Sequence, residues 1–311
     1  MKRILPFILI AALLLLGCGQ PAETKQVSAT VEPTLEPTPE PTPEPTEEPN
    51  TIVIDGEVFL YDGYSVVEPE VTFDIYQKVV SDFVDDFDTV YEVDRESYLL
   101  APGTDMETTV VKITGKKPGP VVYVAAGIHG NERAAWYAGL MLQNATIQAG
   151  TLYVLAPANA QGARLVRRTV GNEDPNRCFP GDENGTEAQQ ICYAIFHDIE
   201  DKRPEILLDL HEAIVYSEGR DFLGSNLIYS SLTGMEDLFF DLLFDTQDGK
   251  VTSRPFNVNG PGPEGSMNRT VTEALGVPTI TVETFRGFPM ERRVSDQLKI
   301  VAYVLRYKGM L

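Results

Sequence analysis

Three short apolar runs stand out along the chain, at residues 121–126, 206–210 and 277–282. Runs of this length, apolar on both faces, read as strands in the middle of a sheet. Residues 98–100, 108–113, 151–156 and 223–229 read as further strands. Between and after these lie segments of helical period at 133–142, 186–199, 231–244, 267–275 and 291–307. Residues 51–64 alternate loosely, with Ile52, Ile54, Val58 and Leu60 as candidate core positions, and predict a strand or short hairpin. Residues 72–87 set Phe73, Tyr76, Val79, Val80, Phe83 and Phe87 at helical spacing among acids, which predicts an amphipathic helix. Turn chemistry marks 115–120, and loops are expected from 157 to Gly181 and over 251–266. Strands alternating with helices of these lengths predict an α/β fold: a mixed, mostly parallel central sheet with helices on both faces.

The first fifty residues follow none of this patterning. Lys2 and Arg3 precede an almost wholly apolar stretch, 4–16, and Gly17-Cys18 follows. This is the layout of a secretory signal, too short to span a bilayer comfortably. Its end, Leu15-Leu16-Gly17-Cys18, resembles a bacterial lipobox, which implies cleavage before Cys18 and a diacylglyceryl group on its sulfur; an ordinary signal peptide is the alternative. Residues 19–50 repeat Glu-Pro-Thr and hold almost nothing apolar, so they read as an extended acidic tether. The expected division is therefore 1–18 signal, 19–50 tether and 51–311 catalytic domain.

Charge narrows the partners. The chain carries a net −21, and the tether's seven glutamates and one lysine account for only a small part of it. Nucleic acid is an unsuitable partner for such a surface. After Cys18 only Cys178 and Cys192 remain. An exported compartment permits a bridge between them, but two cysteines alone do not establish one.

The candidate chemistry gathers at strand ends. Gly127-Ile128-His129-Gly130-Asn131-Glu132 follows the run 121–126, and His211 follows 206–210. Two histidines and a carboxylate, each just past a buried strand, are the ligand set of a catalytic zinc site with an open fourth position. Glu212 competes with Glu132 as the carboxylate, but on an extended segment its side chain points away from that of His211. Of the three histidines, His197 falls mid-helix and reads as a surface residue. Glu283 ends the run 277–282 on the same edge of the sheet, where a general base would sit. Arg164, Arg167, Arg168 and Arg177 cluster in one loop of a very acidic protein, which suits an anionic substrate group or a developing oxyanion. A solvated loop is the bland reading of the same cluster.

These segments, with Asp174-Pro175-Asn176-Arg177, Phe179-Pro180-Gly181, Asp209-Leu210-His211-Glu212 and Thr281-Val282-Glu283, resemble the zinc carboxypeptidase superfamily. They are most similar to its succinylglutamate desuccinylase and aspartoacylase branch. The resemblance runs in order from about Thr108 to Tyr307 and leaves 51–107 unmatched. It implies one zinc ion on His129, Glu132 and His211, with Glu283 as base. It implies Asp174 as the partner of the first histidine, Asn176 and Arg177 as the grip on a substrate carboxylate, and Arg168, with Arg167 as close alternative, polarising the scissile carbonyl. Two departures stand out. Pro175 replaces the usual leucine, and no tyrosine lies between Tyr229 and Glu283 to match the one that peptide-cleaving members place over the substrate.

The sequence thus predicts a lipid-anchored zinc hydrolase on the outer face of a bacterial membrane. Its substrate would be a peptide, including cell-wall peptides, or an N-acyl amino acid bearing a carboxylate. A zinc-containing binding module without turnover is the rival from another class. The anchor has a direct check. Only the thiol can form the thioether, so Cys18→Ser should abolish lipid modification; an unmodified Cys18 in wild-type protein isolated from membranes, read by mass spectrometry, would contradict the lipobox.

Overall fold

The computed structural model describes residues 50–311 apart from 55, 64, 73 and 214–223. The signal segment with Cys18, nearly all of the tether, Phe73 and the start of the strand expected at 223 lie outside the described residues. The described chain opens with a hairpin, β1 (Thr51–Ile54) against β2 (Glu57–Leu60). Of its expected core positions, Val58 and Leu60 face solvent and Phe59 is buried instead. Phe59 packs edge-on against Phe285 and beside Phe288, with Ile52 and Ile54 closing the cluster.

The helix expected over 72–87 does not form. Three single 3-10 turns, Ile75–Gln77, Val80–Asp82 and Asp85–Phe87, take its place. Asp74 accepts from the Tyr76 amide and Asp82 from the Val79 amide, so the acids satisfy local backbone donors that a continuous helix would need. Val79 and Val84 are extended between the turns, a conformation that suits β-branched residues. Ile75, Val80, Val84 and Phe87 are buried, whereas Tyr76 and Val79 are exposed.

The main sheet has eight strands: β3 (Val93–Leu100), β4 (Thr108–Gly115), β5 (Lys117–Ala126), β6 (Ala149–Leu155), β7 (Ile206–Ala213), β8 (Asn226–Tyr229), β9 (Asn257–Asn259) and β10 (Thr279–Phe285). Their order is β3-β4-β6-β5-β7-β10-β8-β9. The centre, β6-β5-β7-β10, is wholly parallel, and antiparallel pairings join β3, β4 and β8 to it. The turn expected over 115–120 is tighter than its composition suggests, since Lys117 already belongs to β5.

Strand periodicity sorts the core into two layers. Val122, Val124, Leu208, Leu210, Ile280 and Val282 pack on one face with α1 (Arg133–Leu142), α4 (Glu236–Gln247) and α6 (Met290–Tyr307). Tyr123, Ala125 and Leu207 pack on the other with α3 (Glu187–Lys202) and α5 (Met267–Leu275). This is the mixed α/β architecture the patterning predicts, covered by helices on both faces. The long loop expected after β6 also holds a short helix, α2 (Ala160–Leu165), and a 3-10 turn, Pro175–Arg177. No bridge joins the cysteines. Cys178 and Cys192 are free, and each thiol donates to a carbonyl, of Asp174 and Pro175 respectively.

The parallel centre aims four strand ends at one edge. At the end of β5, Gly127 takes φ 78°, a conformation glycine adopts without steric cost, and starts the loop that carries His129. Gly130 packs directly on α2, where an added Cβ would fall on the Gly162 carbonyl carbon and the Ala163 nitrogen. Because the obstacle is backbone, Gly130→Ala should destabilise the protein by about 3 kcal/mol. Urea denaturation checks this; an unchanged midpoint would show that the loop does not need the close approach.

Candidate metal centre

His129 and Glu132 come from the β5–α1 loop and His211 from β7, and all three are nearly inaccessible to solvent. Glu132 lies between the two rings: His129 Nδ1 is 2.8 Å from Oε1 and His211 Nδ1 is 2.9 Å from Oε2. The two Nδ1 atoms are 3.2 Å apart. Each ring is anchored at its far nitrogen. His129 Nε2 meets Asp174 Oδ1 at 2.9 Å, and His211 Nε2 meets Asp209 Oδ2 at 3.1 Å. A carboxylate at Nε2 holds the ring proton there and leaves Nδ1 as a lone pair. Two ring nitrogens and a carboxylate oxygen then converge on one buried point, an arrangement that positive charge, a proton or a metal ion, stabilises.

The electrostatics agree. Burial opposes charge on His211, yet Asp209 and Glu132 push its pKa well above the usual imidazole range. Burial would raise Glu132, but the two imidazoles hold it well below the usual carboxylate range. Asp174 is likewise held low against burial, by His129 and then by Arg168 and Arg177. The site is thus built to stabilise positive charge. Among the described residues, His129, Glu132 and His211 are the one group of histidines, cysteines and acids whose ligand atoms gather as a metal would require. Two imidazoles and one carboxylate suit zinc.

Glu212 takes no part in this cluster. Its side chain crosses to the other face of the sheet, accepts the Ala134 amide at 2.8 Å and pairs with Arg293 at 2.5 Å. His197 is half-exposed and paired with Glu200. His211 and Glu283 lie within β7 and β10 rather than beyond their ends, and are paired side by side in the ladder. Backbone pairing does not require apolar side chains, so both strands outlast their apolar runs.

Glu283 is buried, and its Oε2 has no hydrogen-bond partner among the described residues. Burial pushes its pKa up to about 7, with His211 opposing and Glu132 adding to the rise. It shares a cavity of about 140 Å³ with His129, Arg168, Asn176 and Arg177; Ile228, Gly262, Pro263, Ser266, Asn268 and Thr281 form the rest of the wall. Asn176 is clamped by the Met267 amide on its Oδ1, with its Nδ2 3.4 Å from His211 Nε2. Arg177 donates to the Asn176 carbonyl and forms no ion pair with an acid among the described residues. Arg168 reaches Glu132 at 2.9 Å and Asp174 at 3.2 Å.

Arg167 does not join them. It is exposed and lines no part of this cavity. Val166, at φ 51°, ends α2 in the left-handed region, and the Arg167 amide bonds back to the Gly162 carbonyl. That backbone turn, which residue spacing does not encode, brings Arg168 rather than Arg167 to the site. Arg164 is also exposed, bonded to the Asp105 carbonyl.

Sequence reasoning missed two supports of His211. One is Asp209, which lies two residues earlier on the same strand and so on the same face; that spacing was the available signal. The other is Gln297 of α6, which donates to the His211 carbonyl and the Thr284 hydroxyl across a gap no motif spans.

The parallel-centred sheet, with this candidate metal cluster at its carboxyl edge, is the α/β fold of carboxypeptidase-like proteins. The chain belongs to the succinylglutamate desuccinylase/aspartoacylase catalytic domain family, whose model matches residues 118–305, and it is a hydrolase of that kind. Solved structures share the fold. One is a succinylglutamate desuccinylase from Silicibacter sp. TM1040, with TM-score 0.55, 18% identity, and 72% of this chain and 69% of that one covered. A metallo-carboxypeptidase from Burkholderia cenocepacia gives TM-score 0.54 at 13% identity, covering 73% and 67%. The cell shape determinant Csd4 of Helicobacter pylori, solved with a tripeptide bound, gives 0.54 at 16%, covering 71% and 56%. A comparison with curated protein sequences gave no match.

The raised pKa of Glu283 has a consequence for stability. The folded carboxyl keeps its proton up to about pH 7, while the unfolded one releases it near 4.5. The native state therefore binds more protons in that window, so stability falls as pH rises through it. In chelator-treated protein, Glu283→Gln should be more stable than wild type by about 3 kcal/mol at pH 8, and the gap should close below about pH 4.5. Equal urea stabilities at pH 8 would contradict the buried, proton-holding state.

Proposed function

We propose that the protein is a zinc-dependent hydrolase that cleaves an amide bond next to a carboxylate-bearing group, acting as a carboxypeptidase on peptides. The observation that carries this reading is the pairing, in one cavity beside the candidate metal ligands, of a buried carboxyl, Glu283, with an arginine, Arg177, that forms no ion pair with a described acid. Bound by His129, Glu132 and His211, zinc supplies the electrophile that polarises the scissile carbonyl and makes an attacking water acidic. Glu283 takes the water's proton and passes it to the leaving nitrogen, one carboxyl serving both transfers in turn. Arg168, beside Glu132, meets the negative charge that develops on the carbonyl oxygen. Arg177 and Asn176 hold the substrate's carboxylate and so place the bond. Asp174 and Asp209 keep the histidine rings oriented.

We further propose that residues 1–18 are removed and that lipid on Cys18 holds the enzyme at the outer face of a bacterial membrane, with 19–50 as its tether. That setting favours cell-wall or external peptides, and the tripeptide bound to the Helicobacter protein of similar fold is in keeping with it. The family match favours a second reading, removal of an N-acyl group from an acidic amino acid by the same residues. The absence of a tyrosine between Tyr229 and Glu283 leans the same way.

A panel of peptides and N-acyl amino acids, assayed with zinc-loaded protein, separates the two readings. On the best substrate, Glu283→Gln should retain zinc and lose turnover by roughly 100- to 10,000-fold. Arg177→Ala should chiefly raise KM. A Glu283→Gln protein with zinc bound and near-normal turnover would remove the base assignment, and no turnover across the panel would favour a binding module.

A further inference from the structure

The family match begins at residue 118, yet one partly buried acid from the preceding segment, Glu68, joins three arginines that lie behind the metal centre. Glu68 Oε2 accepts from Arg286 at 2.7 Å, and its Oε1 accepts from Arg293 at 3.0 Å and from Arg133 at 3.3 Å. The three arginines come from three places: the first residue of α1 next to Glu132, the residue after β10, and the middle of the first half of α6. Arg293 is fully buried and turns its other nitrogen onto Glu212 Oε1 at 2.5 Å. Glu212 Oε2 accepts the Ala134 amide in the first turn of α1. The Glu212 amide in turn donates to Glu132 Oε2 at 3.0 Å. An unbroken run of hydrogen bonds thus joins Glu68, Arg293, Glu212 and Glu132.

The charge balance makes Glu68 hard to spare. Three guanidinium groups share two carboxylates, and the Nε atoms of Arg133, Arg286 and Arg293 already have no partner among the described residues. Without Glu68, Arg293 would keep Glu212, while Arg286 and Arg133 would lose the one carboxylate that pairs with them. In a low-dielectric setting that imbalance strains the network, and the strain reaches the first turn of α1 through the Ala134 amide and Glu132 itself through the Glu212 amide.

We propose that Glu68 is a positioning residue for the metal centre, acting through Arg293 and Glu212 on Glu132, and that the segment before the family match is a working part of the active centre. The proposal rests on the reading of Glu132 as a zinc ligand. Glu57 provides the contrast. It comes from the same segment and pairs with Arg254 and Arg292, but no hydrogen bond links it to Glu132 or His211.

The test compares Glu68→Gln, Glu68→Asp and Glu57→Gln in the full chain by two readouts. The first is amide hydrogen exchange, after chelation, in peptides covering Ala134 and Glu212. The second is the zinc dissociation constant from competition with a chelator. Glu68→Gln should lose protection at both amides and bind zinc about tenfold more weakly or worse, and Glu68→Asp should recover part of each. Glu57→Gln should lower the melting temperature without either effect. Retained protection with zinc affinity within about twofold of wild type would overturn the proposal, whatever the melting temperature, as would a Glu57→Gln protein that matches Glu68→Gln in both readouts. Should Glu68→Gln not fold, Glu68→Asp decides by the same readouts. Should wild type bind no zinc, the zinc reading falls, and the exchange result alone decides: lost protection supports the role of Glu68 and retained protection overturns it.

Discussion

Two imidazole nitrogens face one another 3.2 Å apart across a buried carboxylate, and each ring is pinned from behind by an aspartate. This constraint organises the rest of the molecule. Bringing two ring nitrogens together costs energy, so the rings stay put only if rigid elements hold them. The parallel centre of the sheet does that for His211, with Asp209 on the same strand face and Gln297 on its carbonyl. The glycine-rich turn after β5 does it for His129, packed against α2 and tied through Asp174 to the Pro175–Arg177 turn. The apolar layers on both faces supply the rigidity, and the polar residues exploit it at a single edge.

Neighbouring imidazoles, acting against burial, then sort the nearby carboxylates into different states. Glu132 lies between two imidazoles and is held ionised, whereas Glu283, on the neighbouring strand with an oxygen that no described residue satisfies, is held near neutrality. Two acids in one site with opposite shifts suit the proposed division of labour between ligand and base. Glu212, adjacent to His211, is turned by strand alternation into a separate ion-pair network behind the site. One peptide unit thus separates a residue that faces the chemistry from one that supports it.

Much of this was legible in the chain. The apolar runs ending before His129, His211 and Glu283 are buried on both faces, so their strands announce themselves. The helices Arg133–Leu142 and Met267–Leu275 fall where their periodicity places them. What escaped reading depends on competition or distance. Residues 72–87 carry helical spacing, but their acids cap local turns more favourably than they would sit in a continuous helix. Val58 and Phe59 exchange expected places because a short hairpin takes its facing from what it covers, here Phe285 and Phe288. The choice between Arg167 and Arg168 turns on a left-handed residue, Val166, that spacing does not reveal. Glu68 meets Arg286 from 218 positions away, and nothing local to either residue announces the pair.

The central claim is that His129, Glu132 and His211 together hold one zinc ion in an open four-coordinate site. X-ray absorption at the zinc edge, on protein loaded with one equivalent of zinc, tests it most directly. The account predicts two imidazole nitrogens at about 2.0–2.1 Å with the remaining positions filled by oxygen. Replacing either His129 or His211 should remove one imidazole from the spectrum. A sulfur shell near 2.3 Å, or a shell of oxygens without imidazole, would contradict it.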